Sequence, residues 1–65
     1  MITETEGRKI AVEIDVFYNG IMTVKGGRQA FMFTDFKKTR STFVGYDLEH
    51  AKNRLIEMRK LFGME

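Results

Sequence analysis

The chain has no cysteine, no proline and no tryptophan, and it has a single histidine. Without Cys, no disulfide or thiolate metal site reinforces the fold. One His cannot build a closed structural zinc site by itself. Long apolar runs are also missing: the longest are three or four residues, far short of the ~20 that span a bilayer. The opening segment, Met1-Ile2-Thr3-Glu4-Thr5-Glu6-Gly7, is acidic and polar. It has neither the basic start nor the apolar stretch of a secretory signal. The absence of Cys fits a reducing compartment, and together these absences predict a cytoplasmic protein without membrane contact. The chain begins with Met and carries no tag-like tail, which suits a complete small gene product.

The 65 residues allow one domain, residues 1–65. A chain this short buries only about 60% of the surface that its unfolded form exposes. Small domains without staples often gain stability by self-association or by docking on a partner. Hydrophobic residues make up 43% and charged residues 31%, the balance of a globular rather than a disordered chain. The net charge is +2, and it is unevenly spread. Residues 1–20 carry Glu4, Glu6, Glu13 and Asp15 against Arg8 and Lys9. Residues 21–45 carry Lys25, Arg28, Lys37, Lys38 and Arg40 against Asp35, so the positive excess lies in the middle third.

Residues 1–8 read as a frayed leader. From residue 9 to 17, Ile10, Val12, Ile14 and Val16 alternate with Ala11, Glu13, Asp15 and Phe17, the period-2 pattern of a half-buried strand. Tyr18-Asn19-Gly20 suits a bulged hairpin turn, which sets Val16 opposite Met22 and Ile14 opposite Val24. Gly26-Gly27 marks a second tight turn. Residues 28–34 form a third strand with Phe31 and Phe33 turned to the core, and residues 40–44 a short fourth one. Asp47 is a good helix N-cap, Glu49 suits the helix dipole, and Leu48, Ala51, Leu55, Met58 and Phe62 recur at helical spacing. Gly63 then ends the helix.

The expected architecture is α+β: an antiparallel four-stranded β-meander over 9–44, or a three-stranded one if 40–44 is an extended loop. One amphipathic helix over 47–62 closes one face, in the order ββββα. The core would hold Ile10, Val12, Ile14, Val16, Met22, Val24, Phe31, Phe33, Phe43, Leu48, Ala51, Leu55, Met58 and Phe62.

Residues for catalysis are scarce. His50 falls in the first helical turn with no second residue to complete an acid–base pair, so it reads as a surface residue. Glu13 and Asp15 share a strand face, as alternation alone would arrange. Lys25-Gly26-Gly27-Arg28 could cradle phosphate through its backbone, but no nucleotide fingerprint follows it. No catalytic residue, metal site, cofactor or small-molecule substrate is expected.

Two surfaces remain. The sheet face away from the helix would show Ala11, Phe17, Ile21, Ala30, Met32 and Val44, too apolar for plain solvent. Phe17, Ile21, Met32 and Val44 are therefore the expected protein interface. The second surface is basic: Lys25 and Arg28 at one turn, with Lys37, Lys38 and Arg40 in the loop after an aromatic-rich strand. Cations beside exposed rings suit nucleic acid. Three features oppose that: the register buries Phe31 and Phe33, Glu13 and Asp15 would stand on the open face and repel phosphate, and the meander puts Lys25 and Arg28 at one end of the sheet and Lys37 to Arg40 at the other.

A sheet followed by one C-terminal helix resembles, in the order of its elements, small sheet-type DNA-binding domains such as the AP2-like and integrase arm-binding modules. Those present Arg- and Trp-rich strands to a groove, whereas this chain has no Trp and its first expected strand presents acids. The expectation is a non-enzymatic binding module acting through protein contacts, as a homodimer or as a small regulator of a larger protein. Nucleic-acid binding through the basic turn and loop is the alternative.

Overall fold

The computed structural model describes residues 2–64, so Met1 and Glu65, the ends of the expected domain, lie outside the described residues. The order is α1 (Glu4–Ile14), β1 (Phe17–Thr23), β2 (Gln29–Thr34), β3 (Thr42–Gly45) and α2 (Leu48–Leu61). The three strands form one antiparallel sheet in the order β1-β2-β3. The fold is therefore α+β with two helices, αβββα, and not ββββα.

The segment expected to be the first strand is a helix. Gly7, Ile10, Ala11 and Ile14 recur at i, i+3, i+4 and i+7, one face of a 3.6-residue period; the first three are buried and Ile14 is half-buried. Val12 belongs only to the period-2 pattern and is 82% exposed. The expected leader holds the start signal. Thr3 caps the helix by accepting from the Glu6 N–H at 3.2 Å, and Thr3-Glu4-Thr5-Glu6 has the spacing of a capping box. Asp15 ends the helix in a left-handed conformation, φ 61°. Its N–H donates to the Val12 carbonyl at 3.3 Å, and the Val16 N–H donates to the Ala11 carbonyl at 2.9 Å, the paired bonds of a Schellman end.

Gly7 lies inside α1 because the helix rests directly on the sheet. A Cβ there would stand 2.4 Å from Tyr18 Cε1 and 2.7 Å from Phe31 Cδ1. Glycine costs a helix interior about 1 kcal/mol; here it permits the close approach.

With α1 helical, no hairpin forms at Tyr18-Asn19-Gly20. Those residues lie inside β1, and the register shifts by one between Tyr18 and Gly20, a β-bulge. The first hairpin joins β1 to β2 through Lys25-Gly26-Gly27. Val24 N–H donates to the Arg28 carbonyl at 2.7 Å, and Gly27 N–H donates to the Val24 carbonyl at 3.0 Å. Both glycines have positive φ, 91° and 83°. The loop is thus one residue longer than a tight Gly-Gly turn, and one residue of slip exchanges the faces. Ile21 pairs with Phe31 on the core side, while Met22 pairs with Ala30 on the other.

The fourth expected strand exists as β3, with Phe43 buried. Helix α2 starts at its expected cap, where the Asp47 side chain accepts from the His50 N–H at 2.8 Å. Ala51 and Leu55 are buried; Leu48 and Phe62, expected in the core, are exposed. The core is Ile10, Ala11, Phe31, Phe33, Phe43, Ala51 and Leu55, with Ile14, Val16, Tyr18, Ile21 and Met58 packed against it. Both helices therefore cover the same side of the sheet. Among the described residues, no helix is long and apolar enough to cross a membrane.

Candidate functional site

The uncovered side of the sheet follows from the pairing. Phe17–Thr34, Gly20–Met32 and Met22–Ala30 share that face, as do Met32–Val44 and Thr34–Thr42. The end of the face that holds Phe17 is tied together by side chains: Asn19 Nδ2 donates to Thr34 Oγ1 at 2.6 Å, and Thr34 Oγ1 lies 3.1 Å from Thr42 Oγ1. Met22, Met32 and Val44 are half-buried around them. Of the four residues expected as an apolar interface, Phe17, Met32 and Val44 stand here. Ile21 does not; the longer Lys25-Gly26-Gly27 loop turns it to the core.

At one end of this face, Phe17 meets Phe36 edge-on, with ring centroids 5.5 Å apart and planes at 68°. The two rings are 56% and 60% exposed. Phe36 follows Asp35, the first residue after β2, and Asp35 is what fixes the loop. Its carboxylate, fully buried at 0% exposure, accepts from Arg59 Nε and a terminal Arg59 nitrogen at 3.0 and 2.9 Å. It also accepts from the N–H and hydroxyl of Thr39, at 3.3 and 3.2 Å. The Arg59 guanidinium, aided by Thr39, holds the Asp35 carboxyl well below the usual carboxylate range, against the opposing effect of burial. The Arg40 N–H closes the loop on the Asp35 carbonyl at 2.6 Å, and Arg40 adopts a left-handed φ of 57°.

The expected cations divide between the two ends of the face. Lys37, Lys38 and Arg40 lie in the Asp35 loop beside the phenylalanines, and Lys25 and Arg28 lie at the β1–β2 hairpin. Lys37 pairs with Asp15 at 2.5 Å. Lys25, Arg28, Lys38 and Arg40 have no carboxylate partner among the described residues. The Arg28 guanidinium lies over the Tyr46 ring, 3.6 Å from its centroid, and Tyr46 stacks on His50 at 4.8 Å. The Tyr46 N–H donates to His50 Nδ1 at 3.2 Å, so the ring proton of a neutral His50 is on Nε2.

Glu13 lies in α1 and Asp15 at its end, so neither occupies the sheet face, and no strand residue of that face is acidic. Phe36 and Tyr46 carry the aromatic surface; Phe36 closes the aromatic-rich segment noted in the sequence, but neither was named as a site residue. Both continue the period-2 alternation of their strands, from Met32 and Thr34 to Phe36 and from Val44 to Tyr46, and that signal could have found them.

On the helical side, Tyr18 donates its hydroxyl hydrogen to the Glu4 carboxylate. Burial, then Glu4, pushes the Tyr18 hydroxyl up to about 12. A hollow lined by Glu6, Lys9, Ile10, Glu13 and Leu48 also belongs to this helical layer. Among the described residues, no group of three or more His, Cys, Asp or Glu is placed to hold a metal ion. Compared with protein-family models, with curated proteins and with solved structures, the chain finds no match in any of the three.

Proposed function

We propose that this protein is a non-enzymatic binding module that takes nucleic acid on its open sheet face. One observation carries the reading: that face presents an exposed ring pair, cations in the same loop as Phe36 with no carboxylate partner among the described residues, and no acidic strand residue. Of the features that opposed nucleic acid in the sequence, the helical α1 removes the acidic strand, while Phe31 and Phe33 stay buried in the core. A ring pair, Phe17 and Phe36, lies on the open side; Glu13 lies in α1, and Asp15, at its end, is paired with Lys37 next to Phe36. Phosphate neutralisation by Lys and Arg makes such binding steeply salt-dependent. Fluorescence anisotropy with labelled duplex and single-stranded DNA and RNA should show binding at low salt that weakens sharply as salt rises. No change in anisotropy with any of the four at low salt would remove the proposal.

A second reading is a protein interface, with a second copy or a larger protein, in a cytoplasmic setting. The half-buried Met22, Met32 and Val44 between the charged ends favour it, as does the small core of a 65-residue chain. It predicts self-association in sedimentation velocity, or partner binding lost in Phe17→Ser with Met32→Ser. A monomer at high concentration, with partner binding intact in that variant, would exclude it.

A further inference from the structure

We infer that the nucleic acid this face accepts is single-stranded, its unpaired bases stacking on the Phe17–Phe36 pair and its phosphates held by the cations at either end. The inference rests on the function proposed above and narrows it.

Open and engaged groups on this face distinguish a single strand from a duplex. Phe17 and Phe36 expose more than half their surface, and their edge-on contact leaves ring surface uncovered. Bases stack on such rings only when they are free of their own duplex neighbours. Reading a duplex needs side chains that reach base edges, chiefly Arg, Lys, Asn and Gln. On this face two of those groups are already engaged. The Asn19 amide donates to Thr34 at 2.6 Å, and Arg28 lies on the Tyr46 ring. Gln29 pairs with Thr23, one step from Ala30, and so points to the helical side.

Charge points the same way. Lys38 and Arg40 lie in the same loop as Phe36, and Lys25 and Arg28 lie at the far end of the strands. Strands of six or seven residues separate these ends by roughly 20 Å, the reach of a few nucleotides. Between them lie Met32, Val44 and the Thr34–Thr42 pair, with no carboxylate. An extended polyanion laid along the strands meets a cation at each end and rings beside one of them.

The test uses one labelled oligonucleotide of mixed sequence, as single-stranded DNA, as single-stranded RNA and as the DNA duplex, with the full chain at low and moderate salt. Single strands should bind more tightly than duplex. Phe17→Ala and Phe36→Ala should each weaken single-strand binding about tenfold, while Phe36→Trp retains it and its fluorescence is quenched on binding. Both sites are exposed, and circular dichroism checks that the variants fold. Equal or tighter binding of duplex overturns the single-strand inference and leaves nucleic-acid binding standing. Unchanged single-strand affinity in both alanine variants overturns the stacking. Binding of none of the three overturns the proposed function itself. Polyglutamate competing as well as the oligonucleotide also overturns it, in favour of an acidic protein partner.

Discussion

Arg59, near the end of α2, closes a two-pronged ion pair on Asp35, the residue that follows β2. This pair ties the helical layer to the loop that holds Phe36, Lys37 and Lys38, so the candidate site depends on a contact made on the opposite side of the sheet. Removing one member of a buried pair leaves the other uncompensated and costs about 3–5 kcal/mol. A domain of this size has a total stability of roughly 3–10 kcal/mol. Asp35→Ala is therefore expected to unfold much of the population at room temperature, measured by urea denaturation followed by circular dichroism. Asp35→Leu combined with Arg59→Met should recover part of the loss, because it replaces two desolvated charges with apolar contacts.

The same carboxyl sets the acid limit. Its folded-state affinity for protons is depressed, so its contribution is complete above the unfolded value of about 4. That contribution falls away as pH drops below 4 toward the lower folded value. Stability should decline by on the order of 1 kcal/mol per pH unit in that window. Urea midpoints at successive pH values below 4 should show the decline in the native chain. In Asp35→Asn it should be much reduced, on a baseline that is already lower.

Tyr18 acts at the other extreme. Its hydroxyl ionises at about 12 in the folded protein and near 10 when unfolded. A raised value means that the neutral form is favoured in the native state. Stability is therefore whole below pH 10 and is lost as pH rises from 10 to 12, at about 1 kcal/mol per unit. In a Tyr46→Phe background the tyrosinate absorbance reports Tyr18 alone, and its midpoint should fall when Glu4→Gln removes the acceptor's charge. An unshifted midpoint in Glu4→Gln would deny the Glu4 contact that role.

Much of this fold was legible and some was not, for reasons particular to each element. Asp47, the helical stripe and Gly63 announced α2, and the glycine pair announced a hairpin. Helix α1 was hidden because Ile10, Ile14 and Val16 satisfy a period of two together with Val12. Gly7 was read as part of a frayed leader, whereas it permits contact with Tyr18 and Phe31. Faces were misassigned in β1 because parity depends on whether a loop has two residues or three, and Gly26-Gly27 serves either. Phe17, Met32, Val44 and the cations of the candidate site were visible all the same. Phe36 and Tyr46 were missed because each lies just beyond a strand, where alternation was no longer being followed.

The helical α1 has a direct test in two substitutions at neighbouring positions. Val12 is exposed on the helix and would be buried on a strand; Ala11 is buried on the helix and would face outward on a strand. Val12→Lys should therefore change stability by no more than about 0.5 kcal/mol. Ala11→Lys would place an unpaired ammonium against Phe31 and Ile10, or force the helix off the sheet. That cost is several kcal/mol, a large share of the whole domain's stability. The chemical-denaturation midpoint of Val12→Lys should match that of the native chain, and Ala11→Lys should show no cooperative transition. The opposite pattern, with Val12→Lys unfolded and Ala11→Lys stable, would return residues 9–17 to a strand. It would also restore Glu13 and Asp15 to the face where they oppose nucleic acid.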